Sequence, residues 1–232
     1  MPNQGYTPPN FPLDEYLAQV KPLGVVAGAV VSGSFQAFDQ AYLIDVLGKL
    51  GPSWAGVTQI PYDYPDQEIT KLNAIGVRAI RFNILRGLND DIENVVALAS
   101  RVHAVAGWHC EMYADAATLK PHVARLSKLP QISIDHLGMT QEGVPVLLDL
   151  VAAGCKVKAT GFGRATVDIP KTLESIAQKN PDALVFGTDL PSTRARRPFM
   201  ASDIDLIERV LGPDLSKRAF WDNPVAFYKV KV

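Results

Sequence analysis

The 232-residue chain predicts an α/β fold of the TIM-barrel type, a (β/α) barrel with seven recognisable parallel strands and the first strand missing. Three observations carry this expectation. Short apolar runs bounded by Gly, Pro, Ser or Asn read as strands buried on both faces, as parallel strands are. Amphipathic segments of helical period lie between them. Successive strand tips fall roughly 22 to 29 residues apart, the length of one βα unit.

The strands are taken in order. Val25–Val31 ends on Ser32-Gly33-Ser34, Trp54–Ile60 on Pro61, and Val77–Phe82 on Asn83. Val105–Met112 ends on Tyr113, Ile132–His136 on Leu137-Gly138, and Cys155–Ala159 on Thr160-Gly161. The last, Leu184–Gly187, sits in a run that stops on Asp189 and continues Leu-Pro-Ser192. Helices are expected over Leu13–Val20, Phe38–Leu50, Asp66–Ile75, Asp90–Val105, Ala116–Leu129, Gly143–Ala153, Pro170–Lys179 and Asp203–Leu211. Asp66 is placed to cap its helix and Gly76 to end it. Residues 1–12 are proline-rich without apolar alternation, so they read as an irregular segment and not as an eighth strand. No linker or low-complexity tract interrupts the rhythm, and one domain over residues 1–232 is expected.

Composition narrows the function. Net charge is −1 with no basic run, which argues against nucleic acid. No apolar stretch approaches the ~18 residues of a membrane span. The N-terminus lacks the charged and apolar regions of a signal peptide, so a cytoplasmic protein is expected. Cys110 and Cys155 fall in predicted strands and read as buried free thiols.

Chemistry is expected at the strand tips, where βα-barrel enzymes keep it. Asp189 leads, because a carboxylate at the buried end of a parallel strand is costly unless it is used or paired. Its structural alternatives are capping the next helix or pairing with an arginine of Arg194-Ala-Arg196-Arg197. His136 is second, a titratable ring at another tip. In Trp108–Tyr113 the alternation puts His109, Glu111 and Tyr113 on one face, with Tyr113 nearest the tip. Glu111 is better read as the partner of a buried base, Arg81 or Lys158. Arg81 and Arg86, near one tip, and Arg164 after another have the shape to bind a carboxylate. Gly161-Phe-Gly163 and Ser32-Gly33-Ser34 are too short to be phosphate loops.

Taken together, Ile-Asp-His136-Leu-Gly, Val-Lys-Ala-Thr-Gly-Phe-Gly163, Phe-Gly-Thr-Asp189-Leu-Pro and Trp-Asp-Asn-Pro-Val-Ala-Phe-Tyr228 resemble the amidohydrolase-2 branch of the amidohydrolase superfamily. The nearest likeness is to 2-pyrone-4,6-dicarboxylate lactonases and the related sugar and muconolactone lactonases. It covers nearly the whole chain. The resemblance implies a distorted TIM barrel in which Asp189 activates water and His136 polarises the lactone carbonyl. It further implies that Tyr113, Arg81, Arg86 and Arg164, with Ser32 and Ser34, hold an anionic lactone substrate.

One family feature is absent. The first strand of the family carries a His-x-His pair that binds metal in most members and substrate in the metal-independent pyrone lactonases. No His-x-His occurs in this chain, which is expected to start just after that strand. The implied cofactor is therefore none, or a divalent zinc or manganese left with His136 and Asp189, below the three ligands of a catalytic zinc. The function expected is lactone hydrolysis by aspartate-activated water. Its rival is a catalytically impaired barrel that binds an anionic small molecule. A homo-oligomer is one way to cover the apolar edges beside the missing strand.

Overall fold

The computed structural model describes residues 7–86 and 91–232, the side chain of Arg86 excepted. Seven strands alternate with helices, as expected: β1 (Gly28–Val31), β2 (Trp54–Thr58), β3 (Val77–Phe82), β4 (His109–Met112), β5 (Ile132–Ile134), β6 (Lys156–Ala159) and β7 (Leu184–Phe186). Strand order follows the chain, as in a βα barrel. The chain divides into two compact units, one running up to Cys110 with Tyr228–Val232 added, the other spanning Glu111–Phe227.

In the first unit β1, β2 and β3 pair in parallel, with Val31 opposite Val57 and Val57 opposite Ala79. Helix α1 (Leu13–Val20) precedes β1, α2 (Ala41–Leu50) and α3 (Asp66–Ala74) connect the three strands, and α4 (Ile92–Ala106) follows β3. Their apolar stripes supply Leu43, Ile69, Val95 and Val102 to a core shared with Val57 and Ile80. Each periodic stripe faces the sheet because burying it is the main stabilising term of a short helix. Arg78 Nη1 donates to the Asn73 carbonyl at 2.7 Å, satisfying the open end of α3.

The expected strand Val105–Met112 starts late. Val105 and Ala106 belong to α4, which Gly107 ends at φ 68° with its N–H on the His103 carbonyl. The β-branched Val105 between two alanines hid a helix end that glycine punctuates. Likewise the first strand begins at Gly28, three residues after Val25.

In the second unit β5, β6 and β7 pair in parallel, with Val157 opposite Leu184. Helices α5 (Val123–Leu126), α6 (Val144–Ala152), α7 (Ile169–Lys179), α8 (Ser202–Lys217) and α9 (Asn223–Tyr228) pack around them. Asp168 caps α7 by accepting from the Lys171 N–H at 3.1 Å, and Leu173, Ile176 and Ala177 face the core. The helix expected over Ala116–Leu129 is a 3₁₀ segment, Ala116–His122, followed by the single turn of α5. Pro121 removes a donor inside it. Helix α8 outruns its expected end at Leu211, but Gly212 there is non-helical. Asn223 Nδ2 donates to the Leu184 carbonyl at 2.9 Å, so the terminal Trp-Asp-Asn-Pro motif anchors the start of β7.

Candidate active site

The second unit gathers four of the expected site residues beyond its strand ends. Asp189 lies three residues past β7 and His136 two past β5, so neither is in a strand. Both take left-handed backbone, at φ 57° and φ 51°. That conformation is uncommon for a side chain larger than glycine and persists only when its surroundings enforce it. Asp189 is held by its own turn, whose carbonyl accepts from the Ser192 N–H at 2.6 Å.

Gly161 lies against both side chains. A Cβ at that position would sit 2.5 Å from His136 Nδ1 and 3.0 Å from Asp189 Oδ2. The imidazole and the carboxylate therefore flank one point. The turn Gly161–Arg164, closed by the Arg164 N–H on the Gly161 carbonyl at 2.8 Å, brings a third group. Arg164 Nε donates to Asp189 Oδ2 at 2.6 Å, with both side chains largely out of solvent. The structural alternative for Asp189, a partner among Arg194–Arg197, is corrected here: Arg197 instead grips Asp203 through both terminal nitrogens. That pairing raises the Arg197 pKa.

His136 is buried, and its Nδ1 shares a 2.8 Å hydrogen bond with the Thr160 hydroxyl. The ring of Tyr113 meets it edge-on, with centroids 5.2 Å apart. Under this cluster, Lys158 is ion-paired with Glu111 and lies 3.2 Å from Asp135 Oδ1, all three buried. The base expected for Glu111 is thus Lys158.

The other expected residues lie in the first unit. Ser32, directly after β1, is buried, and its hydroxyl is hydrogen-bonded to the Tyr42 hydroxyl. Burial pushes the Tyr42 phenol up to about 12. Arg81 Nη1 donates to the Ser32 carbonyl at 3.0 Å and to Asn83 Oδ1 at 3.1 Å. Asn83 Nδ2 reaches Gln59 Oε1 at 2.5 Å, and Gln59 Nε2 reaches the Gly33 carbonyl at 2.9 Å. These bonds tie the ends of β1, β2 and β3 together. Ser34 opens a half-buried 3₁₀ turn beside them. The side chain of Arg86 lies outside the described residues.

Sequence reasoning passed over Thr160 and the role of Gly161. A threonine and a glycine just past a strand end were the available signal, but no spacing rule assigned them to His136 and Asp189.

The donors do not fit a divalent metal. A guanidinium already sits on Asp189, and His136 is engaged with Thr160 through Nδ1. Among the described residues, no three His, Cys, Asp or Glu side chains cluster to hold one.

Comparison with known proteins places the chain. An amidohydrolase family model matches residues 1–230. The 2-pyrone-4,6-dicarboxylate hydrolase of Comamonas testosteroni is 24% identical, over 98% of this chain and 84% of its own. The 4-sulfomuconolactone hydrolase of Hydrogenophaga intermedia is 28% identical, over 94% of this chain and 80% of its own. An apo crystal structure from Agrobacterium tumefaciens superposes with a TM-score of 0.85 at 24% identity, covering 100% of this chain and 90% of that one. A Pseudomonas putida structure, also 24% identical, gives 0.83 over 99% and 92%. With the TIM-barrel-like fold, the motif set and the family match in agreement, the chain belongs to the amidohydrolase family, as a hydrolase beside relatives that act on lactones.

Proposed function

We propose that this protein opens a lactone by aspartate-activated water, on a substrate that carries a carboxylate. The observation that supports this most is the apposition of Asp189 and His136 across Gly161, with Arg164 beside them. Water held against Asp189 gives a proton to the carboxylate as its oxygen forms a bond to the lactone carbonyl carbon. The negative charge that develops on the carbonyl oxygen meets the His136 ring. Collapse of the tetrahedral intermediate breaks the ring C–O bond, and the proton on Asp189 passes to the departing oxygen. The products are a free hydroxyl or enol and a new carboxylic acid, which ionises by giving its proton to solvent, so atoms and charge balance.

A positioned general base supplies roughly 10²–10⁴-fold, and donors aimed at the oxyanion supply a comparable share. Tyr113 and Arg164, in the same unit as Asp189 and His136, are the residues proposed to bind the substrate anion. The relatives supply the substrate class: one acts on a pyrone dicarboxylate, the other on a sulfonated muconolactone. Both substrates are anionic lactones. Proton release should be measured by pH-stat over a panel of carboxylated pyrones, muconolactones and sugar lactones. Turnover of at least one, abolished by Asp189→Asn, is expected; no turnover of any would overturn the reading.

A further inference from the structure

In the resting protein the proposed base is not open to water on the side that Arg164 covers. Arg164 Nε donates to Asp189 Oδ2 at 2.6 Å, and the paired side chains are only 10% and 16% exposed. The contact is a single one. Among the described residues, Nη1 and Nη2 of Arg164 make no further hydrogen bond, so the two-pronged end of the guanidinium remains for another acceptor. That end is the part of arginine best matched to a carboxylate, because it donates two parallel bonds where Nε here donates one.

The backbones on either side are fixed. Arg164 closes the turn that starts at Gly161, and Asp189 closes the turn that ends at Ser192. Movement is therefore confined to the two side chains. A carboxylate entering beside Arg164 would compete with Asp189 for the guanidinium, and the one that is gripped bidentately wins.

We propose that Arg164 makes the reaction specific for carboxylated lactones by coupling the base to the substrate. With no substrate it holds Asp189. When the lactone's own carboxylate takes the guanidinium, Asp189 is released to accept the proton of water. This rests on Asp189 being the base. A lactone without a carboxylate fails twice, because it binds weakly and because it leaves the base held. Discrimination then appears in kcat as well as in KM, whereas a residue that only binds substrate would show it in KM alone.

The test pairs kinetics with a binding measurement. Wild type and Arg164→Gln are compared on a carboxylated lactone and on its neutral methyl ester, with circular dichroism as the folding control. Wild type should turn over the ester with a kcat lower by about 100-fold, the size of a general-base contribution. Arg164→Gln should lose activity on the acid yet gain about tenfold in kcat on the ester, since one charge-assisted bond no longer holds the base. Acetate added to wild type should accelerate the ester reaction and should leave Arg164→Gln unchanged. Equal losses on both substrates, or an ester rate indifferent to both Arg164→Gln and acetate, would overturn the coupling.

The second arm needs no turnover. The Nε–Hε signal of Arg164, assigned by its loss in Arg164→Gln, is followed by NMR in wild type during titration with isophthalate, an aromatic dicarboxylate that cannot be hydrolysed. The coupling predicts that the signal shifts to saturation as the bond to Asp189 is exchanged. An unmoved signal at saturation, or no binding at millimolar isophthalate, contradicts it. If wild type hydrolyses no lactone, the functional reading fails, and the NMR arm still decides whether Arg164 exchanges partners.

Discussion

Gly161 and His136 approach so closely that the position can hold no side chain: a Cβ there would lie 2.5 Å from the imidazole Nδ1. The same Cβ would meet the Asp189 carboxylate at 3.0 Å, and the residue sits at φ +57°, where an L side chain costs roughly 1–2 kcal/mol. Gly161→Ala should therefore displace both groups at once. We expect kcat to fall by about 100-fold, one catalytic group's worth, with a melting temperature only a few degrees lower. Steady-state kinetics and a thermal melt on the same preparation check it.

The hydroxyl of Thr160 fixes His136 through Nδ1 at 2.8 Å. Removing it leaves a buried ring nitrogen without this partner and lets the imidazole turn. Thr160→Val is expected to lower kcat by about tenfold, equal to roughly 1.4 kcal/mol, while Thr160→Ser restores most of it. A Val variant with wild-type kcat would take Thr160 out of the site.

Lys158 lies between two carboxylates, Glu111 and Asp135, in a region closed to solvent. Deleting one partner of a buried ion pair typically costs 3–5 kcal/mol, because the remaining charges are stranded. Lys158→Met should lose about that much in urea unfolding. Glu111→Gln, which leaves Asp135 to balance the lysine, should lose less.

How far the site was readable from sequence depends on the kind of contact. Asp189 and His136 could be found because each follows an apolar run that must be a buried strand, and strand ends are where barrel enzymes place reactive groups. The partner of Asp189 could not. The sequence offers three arginines five to eight residues downstream, yet the ion pair is with Arg164, 25 residues upstream on another loop. Only the pairing of β6 with β7 brings those loops together. The burial of Lys158 was legible as one half of a pair, but Asp135 was not, since it reads equally as a companion of His136. The late start of β4 was missed for a local reason: Ala104-Val105-Ala106 suits a strand as well as a helix, and Gly107 alone marks the change.

A buried thiol and a half-buried phenol give the stability a pH signature. Burial holds the Cys155 thiol up at about 12, against 9.0 for an ordinary cysteine, and the Tyr42 phenol at about 12 against 10.0. Below pH 9 both are protonated whether the chain is folded or not, and their contribution is fully present. As pH rises from 9 toward 12, the unfolded chain ionises first, so folding stability is lost. Each group steepens the loss by at most about 1.4 kcal/mol per pH unit. Urea midpoints should fall progressively above pH 9, and Cys155→Ala should flatten the fall between pH 9 and 10. A midpoint independent of pH up to 11 would contradict the burial of both groups.

Loss of the Asp189 carboxylate is the most direct test of the proposed chemistry. Asp189→Asn keeps the shape of the side chain and removes its capacity to take a proton from water. Hydrolysis of the best carboxylated lactone should be followed by pH-stat for wild type and variant, with circular dichroism to establish that both fold. A drop of about 10²–10⁴-fold in kcat with an unchanged spectrum is the predicted result. A folded Asp189→Asn protein that retains wild-type turnover would remove Asp189 as the base and contradict the mechanism built on it.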